Sequence, residues 1–133
     1  MIISIIPDRE KVRSMMDLIG VRKEFIASVN TEKFPTIAVE NYYEIIKELA
    51  TAILLLEGLK AVGEYAHKET IEALSKCRGV EESEIRLMDD LRIKRNNSSY
   101  EGKQISPTYL ENKKDKIMAI IEKLEKILRD KIE

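Results

Sequence analysis

The chain has no Trp, one Cys, one His, five Gly and three Pro in 133 residues. A single Cys (Cys77) excludes an internal disulfide and fits a reducing compartment. One His (His67) and one Cys, ten residues apart, do not make a zinc site, and one His cannot supply the two Glu-x-x-His motifs of a di-iron bundle. No metal and no cofactor is therefore expected. Phosphate-binding Gly loops and nucleotide fingerprints are missing as well. A Ser nucleophile would need a base, and His67 is the one candidate; in Tyr65-Ala66-His67-Lys68 it reads instead as a helix cap or a satisfied surface histidine. The longest apolar run, Ala52-Ile53-Leu54-Leu55-Leu56, falls far short of a membrane span. Met1-Ile2-Ile3-Ser4-Ile5-Ile6-Pro7 lacks the basic start and length of a signal segment, so a cytoplasmic protein with no membrane partner is expected. Strong charge of one sign is also missing. The net charge of −1 comes from 23 basic and 24 acidic side chains closely mixed, so any contact with nucleic acid must be local.

What is present favours helix. Lys, Glu, Ile and Leu dominate, charged residues make up 35% and hydrophobic ones 44%, a composition typical of a globular protein with a heavily ionised surface. Gln occurs once (Gln104) beside abundant Lys and Glu, a surface bias like that of thermophile proteins. The length suits one domain over residues 1–133.

Pro7-Asp8 opens a first helix whose apolar stripe (Val12, Met15, Met16, Ile19, Ile26) runs to about Ser28. Asn30 to Pro35 reads as a loop, and Thr36 can cap a second helix reaching about Tyr65. Its apolar positions (Ile37, Tyr43, Ile46, Leu49, Ala50, Ile53, Leu54, Leu56) cover more than one face, as in a central helix. Gly58 and Gly63 fall near its end and permit a bend or a close approach. A short helix spans His67 to Lys76. Ser83-Glu84 starts another that sends Ile85, Met88 and Leu91 inward and frays at Asn97-Ser98-Ser99. Ser106-Pro107 starts the last helix, which carries Ile117, Ile120, Ile121, Leu124, Ile127 and Leu128, with Thr108 and Glu111 as a second capping option. No strand alternation is seen. The expected fold is all-α, an up-and-down four-helix bundle with one short extra helix.

Chemistry concentrates in Leu91-Arg92-Ile93-Lys94-Arg95-Asn96-Asn97-Ser98-Ser99-Tyr100-Glu101-Gly102. Arg92, Arg95 and Asn96 lie three and four residues apart, so they share one face of a helix end, and their fixed donors suit phosphate or carboxylate oxygens. Tyr100 sits beside them in a polar loop. The plain alternative is a basic helix C-terminus complementing the helix dipole, worth about 0.3–1 kcal/mol.

The pattern Leu87-x-x-Asp90-Leu91-Arg92-x-x-Arg95-Asn96-x-x-x-Tyr100 resembles the motif helix of the HEPN family of small helical bundles. Upstream, Leu59-Lys60-Ala61-Val62 and then His67 to Leu74 resemble the end of that family's long second helix and its next short helix, so the likeness covers residues 50 to 105. It implies a HEPN-like four-helix bundle and a metal-independent ribonuclease, in which an Arg holds the scissile phosphate and a His downstream handles the proton of the 2′-hydroxyl. Arg95 and Asn96 match, while Tyr100 stands in the His position. Phenols are almost wholly protonated near neutral pH and make poor general bases. The resemblance therefore implies catalytic roles for Arg95, Asn96 and Tyr100; Arg92, outside the core motif, adds phosphate affinity, and Lys94 and Lys103 are further candidate RNA or phosphate contacts. It also implies a homodimer with facing motif helices, and a toxin role beside a nucleotidyltransferase antitoxin partner. In some such pairs the partner adds AMP to a Tyr just past the His; Glu101-Gly102 follows Tyr100 here, so that acceptor is missing. Three readings stay open: an RNA-cleaving toxin, a catalytically silent module binding RNA, nucleotide or the nucleotidyltransferase, and a helical scaffold with Arg95 in a structural role.

Overall fold

A computed structural model describes residues 1–133, and most of them are helical. In order come β1 (Ile2–Ser4), α1 (Arg9–Ala27), α2 (Pro35–Leu56), β2 (Leu59–Ala61), α3 (Ala66–Ala73) continued by a 3-10 turn (Leu74–Lys76), α4 (Glu82–Glu101) and α5 (Pro107–Ile132). No helix is long and apolar enough to cross a membrane.

The helix α2 occupies the centre because its sequence leaves it little choice. Tyr42, Tyr43, Ile45, Ile46, Leu49, Ala50, Ile53 and Leu54 are all buried, which commits most of its circumference to neighbours. It packs against α1, α3, α4, α5 and β2. Helices α1 and α5 answer with single stripes: Val12, Ile19 and Ile26 on one, and Ile117, Ile120, Ile121, Leu124 and Leu128 on the other. Each large aliphatic side chain so buried contributes about 1.5–3 kcal/mol against its exposed state. Ile37, in the first turn of α2, remains exposed.

Local chemistry sets the helix starts. The Asp8 carboxylate accepts from the Lys11 N–H at 3.0 Å, and the Ser106 hydroxyl accepts from the Tyr109 N–H at 3.2 Å. At α4 the start lies before Ser83, since the Glu84 carboxylate reaches back to accept from the Glu81 N–H at 2.9 Å. Thr36 does not cap α2; Phe34 precedes it with Pro35 in its first turn, and the Thr36 hydroxyl accepts from the Ile105 N–H at 2.8 Å. That bond pins the α4–α5 connection, with buried Ile105, against the start of α2.

Three further expectations need correction. The chain does contain strands: β1 and β2 pair antiparallel in the register Ile2↔Ala61, Ile3↔Lys60 and Ser4↔Leu59. The second helix accordingly ends at Leu56 and not near Tyr65, so Leu59 to Val62 is not a helix end. Gly58 makes the break: its φ of 73° lies in the left-handed region, and a Cβ there would stand 2.9 Å from the Ile5 carbonyl oxygen. Finally, α4 does not fray at Asn97. It continues through Tyr100 to Glu101 and stops at Gly102, whose φ is 67°. The Gly102 N–H donates to the Ser98 carbonyl and the Lys103 N–H to the Asn97 carbonyl. Ser98 and Ser99 donate to the Glu40 carboxylate on α2 at 2.8 and 3.3 Å, and the Ser98 hydroxyl also lies 3.0 Å from the Arg95 carbonyl of its own helix.

Candidate functional site

Because α4 continues to Glu101, Arg92, Asn96 and Tyr100 fall at successive four-residue steps and form one stripe. That stripe is one wall of an open groove of about 330 Å³. The other wall is the entry to α3: Gly63, Glu64, Tyr65, Ala66, His67 and Lys68.

Ion pairing divides the cations around this groove. The Arg92 Nε donates to the Asp89 carboxylate at 2.8 Å, one turn back on the same helix. Lys47 on α2 pairs with Glu44 at 2.7 Å. Arg95 has no carboxylate partner. Its guanidinium makes one long contact, 3.4 Å, to the Asn96 side-chain oxygen and lies 5.9 Å from the centre of the Tyr100 ring. A half-buried, unpaired guanidinium is costly unless water or an anion completes its donors.

Two further groups feel this charge. Tyr43, 1% exposed, points a hydroxyl without a protein hydrogen-bond partner into the fields of Arg92 and Arg95. Burial pushes its pKa up to about 12 even though both guanidiniums pull the other way. His67 is pushed below the ordinary imidazole value, first by partial burial, then by Lys47 and Arg95; Glu44 opposes the shift and Arg92 adds to it. The shift favours the neutral imidazole.

The sequence-predicted residues separate into two sets. Arg92, Arg95, Asn96 and Tyr100 come together. Lys94 turns away: its ammonium lies 5.0 Å from the centre of the Tyr109 ring, whose hydroxyl donates to Asp90. Lys103 lies beyond the helix stop and pairs with Glu101 at 3.3 Å. Tyr100 is a last-turn helical residue, 77% exposed, and not a loop residue. His67, assigned from sequence to a cap or plain surface role, lies in the groove, and the α3 N-cap is Tyr65. The signal that could have found it is its singularity, because a chain with one imidazole has one side chain whose ordinary pKa lies near neutrality. Nowhere do three or more His, Cys, Asp or Glu side chains gather to hold a metal ion.

Comparison of the chain with protein-family models, curated proteins and solved structures finds no match. The groove itself therefore has to carry the functional argument.

Proposed function

We propose that this protein is a HEPN-like four-helix bundle that binds RNA through the α3–α4 groove, with Arg95 as the principal phosphate contact. The observation that carries the reading is the unpaired guanidinium of Arg95, held against Asn96 and the Tyr100 ring, beside a groove lined by Arg92, Asn96 and Tyr100. An Arg fork presents several donors in the geometry of phosphate oxygens, and the Tyr100 ring offers a face on which a base can stack. The homodimer and the nucleotidyltransferase antitoxin partner belong to the same proposal. Two facing copies of α4 would double the local cation density without altering the near-zero net charge.

RNA is favoured over a small anion because the groove is open and joins cation, amide and exposed aromatic along one stripe. The test is binding of a labelled 2′-O-methyl oligoribonucleotide, which cannot be cleaved, to wild type and to Arg95→Ala. Loss of one charge-assisted contact is expected to weaken binding by about 10-fold or more. Wild-type affinity should also fall as salt rises. Equal binding by the two proteins would refute the reading and leave Arg95 a structural residue.

A further inference from the structure

We propose that the hollow between α1, α2 and α5 binds a small amphipathic carboxylate, its charged head held by Lys114. A medium-chain acyl acid or a single-ring aryl acid has the required form. The inference is independent of the RNA reading, because this hollow shares no residue with the α3–α4 groove.

The hollow follows from how the bundle packs. Helices α1 and α5 both lie on α2, and between them a cavity of about 310 Å³ stays open, near the lower end of small-molecule sites. On α5, Lys114, Met118 and Ile121 fall at steps of four and three residues and so line it together. Ile26 comes from α1, Tyr42 and Ile45 from α2, and Val29 and Thr31 from the connection between those helices. Ile26, Tyr42, Ile45 and Ile121 all belong to the buried core, so the hollow reaches inward instead of spreading over the surface. That shape suits a small molecule better than the face of a protein.

Polar bonds close its two ends. The Lys23 Nζ donates to Glu125 at 2.7 Å and ties α1 to α5. The Lys114 Nζ donates to the Thr31 Oγ1 at 3.1 Å and ties α5 to the connection between α1 and α2.

The polar groups in the lining select the ligand. Both charged lining residues are lysines, and no carboxylate is among them. Lys23 is neutralised by Glu125, whereas Lys114 pairs with no carboxylate, although Glu111 and Asp115 share its helix and line the adjoining hollow with Glu32. Thr31 is 9% exposed; its oxygen accepts from Lys114, and its own hydroxyl proton has no acceptor in the protein. Tyr42 is 3% exposed, and its hydroxyl makes no hydrogen bond within the protein; burial pushes its pKa up, so it stays a donor. An ammonium and two hydroxyl protons thus line one apolar space without acceptors of their own, a set that anionic oxygens complete. A bare inorganic anion would leave the Ile45 and Ile121 walls uncovered, and a neutral hydrocarbon would leave the donors unmet. The acids of the adjoining hollow repel a carboxylate, so the ligand's head stops at Lys114 and its body lies inward.

The test titrates octanoate, 1-octanol and octylammonium into protein carrying isotope-labelled Ile and Met methyl groups, well below the concentrations at which these amphiphiles aggregate. Octanoate is expected to give saturable shifts confined to the methyls of Ile26, Ile45, Met118 and Ile121, and to bind at least about 5-fold more tightly than octanol. Lys114→Met removes the charge from an exposed position and keeps most of the side chain's length, so the fold is retained. It should still bind octanol and lose the advantage of octanoate. Shifts that do not saturate, or that scatter over the surface, mean adsorption of amphiphile only and overturn the proposal. Equal binding of the three probes, or a preference for octanoate unchanged in Lys114→Met, overturns it as well.

Discussion

Helices α4 and α5 both pack on α2, and they do so in opposite ways. The α5 interface is a stripe of fully buried aliphatic residues from Leu110 to Leu128, with its charges turned outward in pairs such as Lys126–Asp130. On α4 aliphatic burial stops at Leu91; from Arg92 to Ser98 every residue except Ile93 is polar and partly buried. Hydrogen bonds replace apolar contact there, from Ser98 and Ser99 to Glu40, with Arg92–Asp89 and Lys47–Glu44 satisfied nearby. A half-buried polar seam stabilises less per residue than an aliphatic one, since hydrogen bonds to water are exchanged and not gained. Two cations in that seam, Lys94 and Arg95, have no carboxylate partner; Lys94 lies over the Tyr109 ring, and Arg95 lies against Tyr100, which lines the groove. The comparison places the candidate site where aliphatic packing gives way to polar side chains.

The contrast can be tested from both sides. Leu124→Ala in α5 should cause the largest loss, about 2–5 kcal/mol of unfolding free energy in urea, because a fully buried side chain leaves a cavity. A smaller loss, about 2 kcal/mol, is expected for Gly58→Ala, since a side chain there must adopt φ near 73° and meets the Ile5 carbonyl. Glu40→Ala removes the shared acceptor of Ser98 and Ser99 and should cost about 1 kcal/mol. Its signature is faster amide exchange confined to the last turns of α4, whereas Leu124→Ala should loosen the whole core. The smallest effect concerns charge alone. Lys47→Gln removes a cation that disfavours imidazolium and leaves Glu44 unpaired, so both changes should raise the His67 midpoint, by less than about one pH unit. One imidazole resonance in a proton NMR titration reads this directly; a midpoint that falls would contradict the placement of His67 among these charges.

Much of the helical frame was readable from local pattern. Val12, Ile19 and Ile26, and Ile117 to Leu128, recur at helical spacing, and Asp8 and Ser106 carry caps that need no distant partner. The breadth of apolar positions on α2 likewise announced its central place. Misreadings arose where a residue's conformation depends on something far along the chain. Leu59-Lys60-Ala61 continues a helical pattern locally and becomes a strand because Ile2-Ile3-Ser4 pairs with it. Asn97-Ser98-Ser99 favours a turn locally and stays helical because Glu40 accepts the serine hydroxyls while Gly102 supplies the stop.

The candidate site divides in the same way. Sequence spacing alone determined that Arg92, Asn96 and Tyr100 could share a helix face, because a 3.6-residue turn brings such positions into line. Tertiary structure decided which cations are neutralised, that Lys94 turns to Tyr109 and Lys103 to Glu101, and that His67 stands across the groove from α4. Helical periodicity is a property of neighbours in sequence, whereas ion pairing and groove membership depend on distances between elements that only packing around α2 fixes.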